Sequence, residues 1–245
     1  MPRCDVILIA LKTTQNSLLA QLLPPLLKPE SLVLVLQNGI DIEPEIAHLI
    51  DQQIILSGLC FICSNKVGLG EIHHLDYGSI RLAEYAPDYK ETGITPAMER
   101  IAEDLKTGGI PVELSEDLLL ARWKKLVWNI PYNGLSVVLN ARTDEMMNHP
   151  QTRLLVKQIM EEVVQGAAAC DRIIDDHFVE YMLDHTEQMQ PYLTSMKLDY
   201  DAQRPLELEA IFANALKLAK IAGITLPRIE MLYQQLVFLD QQNCL

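Results

Sequence analysis

The chain has 245 residues, of which 49% are hydrophobic and 22% charged, so it contains enough apolar material for one large or two smaller globular domains. Its net charge of −13 argues against nucleic acid or an anionic membrane as a partner, since both require a basic surface. No apolar run has the length and purity of a membrane span, and residues 1–5 lack the apolar core of a signal peptide. These features predict a cytoplasmic protein.

The five cysteines are an odd number and are widely scattered, which is typical of a reduced protein and not of a disulfide framework. Cys60 and Cys63 form a C-x-x-C pair, but the pair lies in a strand-like run where positions i and i+3 face opposite sides. No second pair and no histidine at zinc-finger spacing accompanies it. The sequence therefore predicts no metal site and disfavours a redox role.

The first half of the chain alternates strands and helices. Aliphatic runs at residues 5–11, 32–36 and 54–64 predict three strands, the first of them buried. A helix capped by Thr14 or Asn16 is expected to run to residue 27, and a shorter one covers residues 41–50. This order predicts right-handed crossovers and a mostly parallel sheet.

The pattern then changes twice. Residues 68–84 predict a hairpin turning at Tyr77-Gly78, followed by a helix at 95–106 that Gly108-Gly109 ends and a short strand at 111–114. Beyond residue 116 almost all segments are helical, namely 116–140, 143–170, 175–188, 206–222 and 228–239. We therefore place a domain boundary between an α/β part, residues 1–115, and an all-helical part, residues 116–245.

One helix of the second part carries a polar stripe. Lys125, Asn129 and Asn133 stand at i, i+4 and i+8 in an otherwise apolar run, so they share one face over about 12 Å. A buried ammonium and two carboxamides each need partners, and a small polar ligand would supply them. The alternative is a partly exposed helix edge with scattered polar residues.

Seven motifs, taken together and in order, resemble the ketopantoate reductase (2-dehydropantoate 2-reductase) family, and the resemblance extends over essentially the whole chain. The motifs are the strand from Asp5 to Lys12, the turn Gln37-Asn38-Gly39, the hairpin segment His74-x-x-x-Gly78, the helix Trp123-x-Lys125-Leu126-x-x-Asn129-x-x-x-Asn133, the segment Ser195-Met196-x-x-Asp199, the segment Glu207-Leu208-Glu209, and Gly223-Ile224-x-x-Pro227.

The resemblance implies a truncated Rossmann-type parallel sheet followed by an all-α C-terminal domain, as in 6-phosphogluconate dehydrogenase, with the active site in the cleft between them. Family members begin with a strand, a G-x-G-x-x-G loop and a helix, which this chain does not contain; Gly68-Leu69-Gly70 lacks the third glycine. We expect either that the sequence starts inside a longer protein or that it is a shortened paralogue. The exposed strand edge would then favour poor solubility or association, for example as a homodimer.

The resemblance also implies roles for individual residues. Lys125 is the general acid, a role that suits lysine when burial or a neighbouring cation lowers its pKa towards neutrality. Glu207 orients the substrate by binding its terminal hydroxyl. Asn129 and Asn133 hold the substrate's hydroxyl and carboxylate, and Ser195 binds the carboxylate.

Two further residues belong to the first half. By the same resemblance, Asn38 bridges cofactor and substrate, and Lys12 lies near the nicotinamide. From the residues alone, Asn38 is equally well read as a turn residue before Gly39, and Lys12 as a surface lysine at a strand exit.

The expected activity is NADPH-dependent reduction of 2-dehydropantoate to (R)-pantoate, a step towards pantothenate. Two alternatives remain open at this point. One is reduction of another branched 2-keto acid. The other is a non-catalytic helical module for dimerisation or binding, which the absence of the phosphate-binding loop supports.

Overall fold

The computed structural model describes residues 2–50 and 53–243, and the chain divides into two compact units, Met1–Ala121 and Arg122–Leu245. The division falls inside a long helix that the sequence assigned to the second domain. Each unit is described separately. The assignment of residues 1–115 to cofactor binding and of 116–245 to substrate binding stays a prediction.

The first unit contains a five-stranded sheet in which the strands follow chain order. The strands are β1 Val6–Ile9, β2 Leu32–Val35, β3 Ile54–Gly68, β4 Glu71–Glu84 and β5 Val112–Leu114. The pairs β1–β2, β2–β3 and β4–β5 are parallel, and only β3–β4 is antiparallel. The predicted mostly parallel, Rossmann-type sheet is confirmed.

One face of this sheet packs against helix α3, Pro96–Thr107, which buries Met98 and Ile101 against Leu34 and Leu56. Thr95 caps the helix by accepting a hydrogen bond from the Met98 backbone N–H, and Gly108 ends it, as the sequence predicted.

Strand β1 differs from the prediction of a fully buried strand. Ile7 and Ile9 are buried, but Val6 and Leu8 are 37% and 59% exposed. An aliphatic strand is buried on both faces only when other elements cover both faces. Among the described residues, one face of β1 is not covered.

The helix predicted to run to residue 27 is also shorter than expected. Residues Thr13–Leu18 and Pro24–Leu26 form 3-10 turns around a single α-helical turn, α1, Leu19–Leu22. Neither Thr14 nor Asn16 is the N-cap, because that position falls on Lys12. Asn16 is instead buried and faces the next crossover. A further short helix, α2, spans Glu43–Ala47.

The hairpin turns at a different place from the one predicted. The chain reverses at Leu69-Gly70, where Gly70 has a φ of +73°, whereas Tyr77 and Gly78 lie inside β4. These two residues have positive φ values of 58° and 149° and coincide with a shift of register opposite Phe61 and Ile62. A Tyr-Gly pair with left-handed geometry forms a β-bulge here, which local sequence does not distinguish from a turn.

The second unit is all-helical, as predicted. Its helices are α4 Leu118–Val138, which begins in the first unit, α5 Thr143–Asn148, α6 Pro150–Ala169, α7 Phe178–Gln188, α8 Ser195–Asp201, α9 Asn214–Ile221 and α10 Pro227–Asn243, with a π-helical turn at Glu209–Ala213 preceding α9. The single helix predicted for 143–170 is two, because His149 precedes a proline and adopts extended geometry (φ −104°, ψ 121°). Helix α8 was not predicted.

Helix α4 packs closely against two others through glycines. A Cβ on Gly134 would lie 2.5 Å from Cδ2 of Leu232 on α10, and one on Gly166 of α6 would lie 2.9 Å from the Trp123 ring. Trp123 is fully buried. A methyl group at either position would force Leu232 or Trp123 to shift, so the two glycines let α10 and α6 lie close to α4. No helix among the described residues is long and apolar enough to cross a membrane.

Candidate active site

The polar stripe of α4 is buried. Lys125, Asn129 and Asn133 are 9%, 7% and 3% exposed, and the helix continues through Pro131 between the two asparagines. The Oδ1 atom of Asn133 is inaccessible to solvent and has no hydrogen-bond partner among the described residues. A buried carbonyl oxygen without a donor is costly, so this atom is suited to accept a hydrogen bond from a ligand. The expected alternative, an exposed helix edge, is wrong.

Two aromatic residues of α4, Trp128 and Tyr132, fix the orientation of this helix. Trp128 donates from Nε1 to Thr186 Oγ1 on α7 at 3.1 Å, and its ring lies 4.8 Å from that of Tyr132. The Tyr132 hydroxyl lies 3.0 Å from the Met147 sulfur, and burial raises the pKa of this phenol. Tyr132 therefore stays neutral and serves in packing, while the stripe keeps a fixed orientation.

Ser195 follows a residue that is linked to α4 near Asn133. It is the first residue of α8, and the preceding residue, Thr194, is linked to α4 by a 2.8 Å hydrogen bond between its hydroxyl and that of Ser136. Ser136 also donates to the Asn133 carbonyl at 3.0 Å. Sequence analysis missed both hydroxyls, although Ser136 follows Asn133 by three residues and extends the stripe to i+11.

Glu207 is buried rather than solvated. It is 5% exposed and stands just before the π-helical turn Glu209–Ala213. Leu206 next to it donates its backbone N–H to the Asp240 carboxylate of α10 at 3.1 Å. A π-turn of this kind is a frequent feature of functional sites.

In the first unit, the carboxyl ends of β1 and β2 are joined by one side chain. Gln37 Nε2 donates to the Leu11 carbonyl at 2.8 Å and to Asn16 Oδ1 at 2.7 Å. Asn16 in turn donates to Glu45 of α2 at 3.0 Å. Because Leu11 precedes Lys12, the bonds of Gln37 fix the two turns that carry Lys12 and Asn38.

A buried carboxylate, that of Glu43, fixes the end of the turn that begins at Asn38. Glu43 has no exposed surface, and it accepts hydrogen bonds from Ser57 Oγ at 2.5 Å and from the Tyr89 hydroxyl at 2.6 Å. Between Asn38 and Glu43 the backbone passes through positive φ at Gly39 (107°) and Asp41 (57°). The Glu43 contacts therefore stabilise a turn with two left-handed residues, which is costly unless its ends are held.

Comparisons with known proteins agree along the chain. Residues 1–87 match the family model described as ketopantoate reductase PanE/ApbA, and residues 117–240 match the model of its C-terminal part. A 2-dehydropantoate 2-reductase of Nostoc sp. is 60% identical over 99% of this chain and 76% of its own length. The chain belongs to the ketopantoate reductase family.

Solved structures agree with this assignment. A crystal structure of 2-dehydropantoate 2-reductase from Geobacter metallireducens is 38% identical, covers 98% of this chain and 78% of its own, and has a TM-score of 0.89. The one from Methylococcus capsulatus is 30% identical with the same TM-score, over 98% of this chain and 76% of its own. The fold predicted from the family resemblance is confirmed.

The predicted site residues of this ketopantoate reductase fall into two groups. In the second unit, Lys125, Asn129 and Asn133 lie on α4, Ser195 begins α8, and the buried Glu207 precedes the π-helical turn. Lys12 is exposed and Asn38 half-buried, both at the carboxyl edge of the parallel strands in the first unit.

This strand edge fits an anionic dinucleotide. Ligands of open α/β sheets bind at the carboxyl ends of the strands, and here a lysine and a carboxamide follow two strands whose exits are tied together by Gln37. The left-handed φ of Gly39 turns the chain directly after Asn38.

The C-x-x-C pair offers no comparable chemistry. Cys63 is buried, and burial raises the pKa of its thiol to about 11, so the thiolate needed for redox or metal chemistry is suppressed. Among the residues the structure describes, no group of three or more histidine, cysteine or carboxylate side chains is placed to hold a metal ion.

Proposed function

We propose that this chain binds NADPH and reduces 2-dehydropantoate to (R)-pantoate, a step towards pantothenate, with Lys125 as the general acid. The observation that carries the proposal is the buried stripe Lys125–Asn129–Asn133, in which the Asn133 carboxamide oxygen lacks a hydrogen-bond partner among the described residues, in a chain 60% identical to a 2-dehydropantoate 2-reductase. Lys12 and Asn38 are the residues that would hold the cofactor. NADPH, when bound, would supply the hydride that adds to the keto carbon.

Lys125 would deliver the proton. As hydride reaches the carbon, negative charge grows on the carbonyl oxygen, and an ammonium within hydrogen-bond distance both offsets that charge and transfers a proton to it. The product is the 2-hydroxy acid, and Lys125 is left neutral until it regains a proton from solvent. Burial of Lys125 strengthens the interaction because the local dielectric is low.

The other residues would recognise the ends of the substrate. Asn129 and Asn133 present carboxamides that both donate and accept, which suits a molecule with a hydroxyl and a carboxylate. Asn133 would donate from its carboxamide nitrogen to the carboxylate. Ser195 would donate to the carboxylate, and Glu207 would accept from the terminal hydroxyl and orient it beside Lys125.

We also propose that the protein acts in the cytoplasm, because its five dispersed cysteines are typical of a reduced protein. A second proposal is that it associates as a homodimer. The exposed Val6 and Leu8 on β1 support association, since an open apolar strand is prone to pair.

The test is calorimetric titration of NADPH into the 245-residue chain, with and without 2-dehydropantoate, followed by turnover assays. We expect micromolar cofactor binding, turnover by the wild type, and a fall in kcat of about 10²-fold or more in Lys125→Ala. Lys124→Ala is the matched control, because Lys124 points away from the stripe, with Nζ 5.8 Å from the Phe178 ring centroid.

Each outcome decides the proposal. Loss of activity in both lysine variants, or in neither, would contradict the role of Lys125. Faster turnover of another branched 2-keto acid would change the substrate assignment and leave the reaction class intact. Absence of both cofactor binding and turnover would favour the non-catalytic helical module.

A further inference from the structure

Two buried hydroxyls lie directly behind the proposed substrate-binding residues. Ser136 on α4 and Thr194 at the start of α8 are both 0% exposed, and their oxygens are 2.8 Å apart although the residues are 58 positions apart in sequence. Neither has a role in the proposed chemistry.

The neighbouring groups determine which hydroxyl of this pair donates and which accepts. Ser136 donates to the Asn133 carbonyl, so its oxygen can only accept from Thr194. Thr194 donates to Ser136 and accepts from the Lys197 backbone N–H at 3.2 Å, which makes it the N-cap of α8. The chain of bonds thus runs from Lys197 N–H through Thr194 and Ser136 to the Asn133 backbone.

This chain of bonds joins two residues that the proposed function assigns to the substrate. Its one end is the backbone of Asn133, and its other end fixes the first turn of α8, which begins with Ser195. The Asn133 end needs support because Pro131 has no N–H, so α4 lacks one of its backbone hydrogen bonds a few residues earlier.

The segment before Thr194 is anchored separately. Thr143 on α5 accepts from the Tyr192 backbone N–H at 3.3 Å and donates its own backbone N–H to the Tyr192 carbonyl at 3.2 Å. Loss of the Ser136 hydroxyl should therefore leave the segment folded and release only the position of the residues that follow it.

We propose that Ser136 and Thr194 form a positioning relay that sets the Ser195 hydroxyl against the Asn133 end of the stripe, so that the two together receive the carboxylate end of a 2-keto acid. The proposal rests on the proposed function for the roles of Ser195 and Asn133. The relay residues do not touch the substrate; they act through the residues that do.

Ser136→Ala is the main test. We expect the KM for 2-dehydropantoate to rise about 5- to 10-fold, which is the usual effect of one lost hydrogen bond, while kcat and the Kd for NADPH change less than about twofold. Thr194→Val should have a larger effect because it also removes the cap of α8, and Thr194→Ser should restore the wild-type KM.

A double-mutant cycle separates positioning from simple structural support. In a Ser195→Ala background the Ser136→Ala change should raise KM less than it does in the wild type, because only its effect on Asn133 remains. Additive effects, or a parallel rise in the KM for NADPH, would overturn the relay.

Calorimetric binding of (R)-pantoate to the wild type and to Ser136→Ala distinguishes failure of the relay from failure of the proposed function. If the wild type does not turn over 2-dehydropantoate, the reductase assignment fails, and the relay is judged by this titration alone. Weaker pantoate binding by the variant supports the relay. Equal binding, or binding by neither protein, overturns it.

Discussion

The two units present their candidate site residues in different ways. In the second unit Lys125, Asn129 and Asn133 lie on one buried helix, and the 3.6-residue period alone places them on one face. In the first unit Lys12 and Asn38 follow two separate strands, and their positions depend on side-chain bonds made by residues distant in sequence. The relative placement of three residues on one helix needs only the helix itself, whereas the placement of residues on two turns depends on the bonds that join those turns.

The largest effect that we expect from this comparison concerns Glu43. Glu43→Ala should lower the free energy of unfolding of the first unit by about 2–4 kcal/mol, because it leaves the Ser57 and Tyr89 hydroxyls buried without this acceptor and creates a cavity. Urea unfolding measures this, with Glu103→Ala, an exposed carboxylate on α3 of the same unit, as the control. Equal small losses in both variants would show that the turn does not depend on the buried carboxylate.

The second prediction concerns the packing of α4. Gly134→Ala should destabilise the protein by about 1–3 kcal/mol, because the new methyl group would lie 2.5 Å from Leu232 on α10. Thermal unfolding of Gly134→Ala, Leu232→Ala and the double variant checks the cause. The two changes should be less than additive, since the shortened side chain relieves the clash; strict additivity would place the strain elsewhere.

The third prediction concerns the cofactor edge. Asn38→Ala should weaken NADPH binding about 10-fold, about the effect of losing one well-placed hydrogen bond, with little change in stability because the side chain is only half-buried. Gln15→Ala, an exposed residue near the same edge, is the control for titration calorimetry. If the two variants bind NADPH equally, Asn38 is only a turn residue.

The smallest expected effect is a pH dependence from Cys63. Its pKa is raised by burial to about 11, so the folded state favours the neutral thiol. The contribution of this group to stability is fully present below the pKa of the unfolded thiol, near 9, and is lost as pH rises through about 11. By pH 10 the loss amounts to about 1 kcal/mol. Cys63→Val should abolish this part of the slope in unfolding experiments between pH 8 and 10.5, and an unchanged slope would assign it to other groups.

Patterns local in sequence were sufficient for much of the fold and for part of the site. The β2 strand, helix α3 with Thr95 and Gly108 at its ends, and the stripe of α4 all follow from runs or periods within a few turns of chain. The family motifs added Ser195 and Glu207, whose roles no spacing indicates. Errors occurred where one local pattern allows two structures, as at Tyr77-Gly78, which is a bulge, and at His149-Pro150, which separates two helices.

The sequence by itself determined most of the strands, several long helices and which of their side chains share a face, because helix and strand periods depend only on neighbouring residues. The tertiary structure alone decided that Glu43 lies buried between Ser57 and Tyr89, and that Ser136 meets Thr194. Such bonds join residues from different elements, so they depend on how the whole chain packs. Which polar residues become buried partners is therefore set by packing and not by any pattern along the chain.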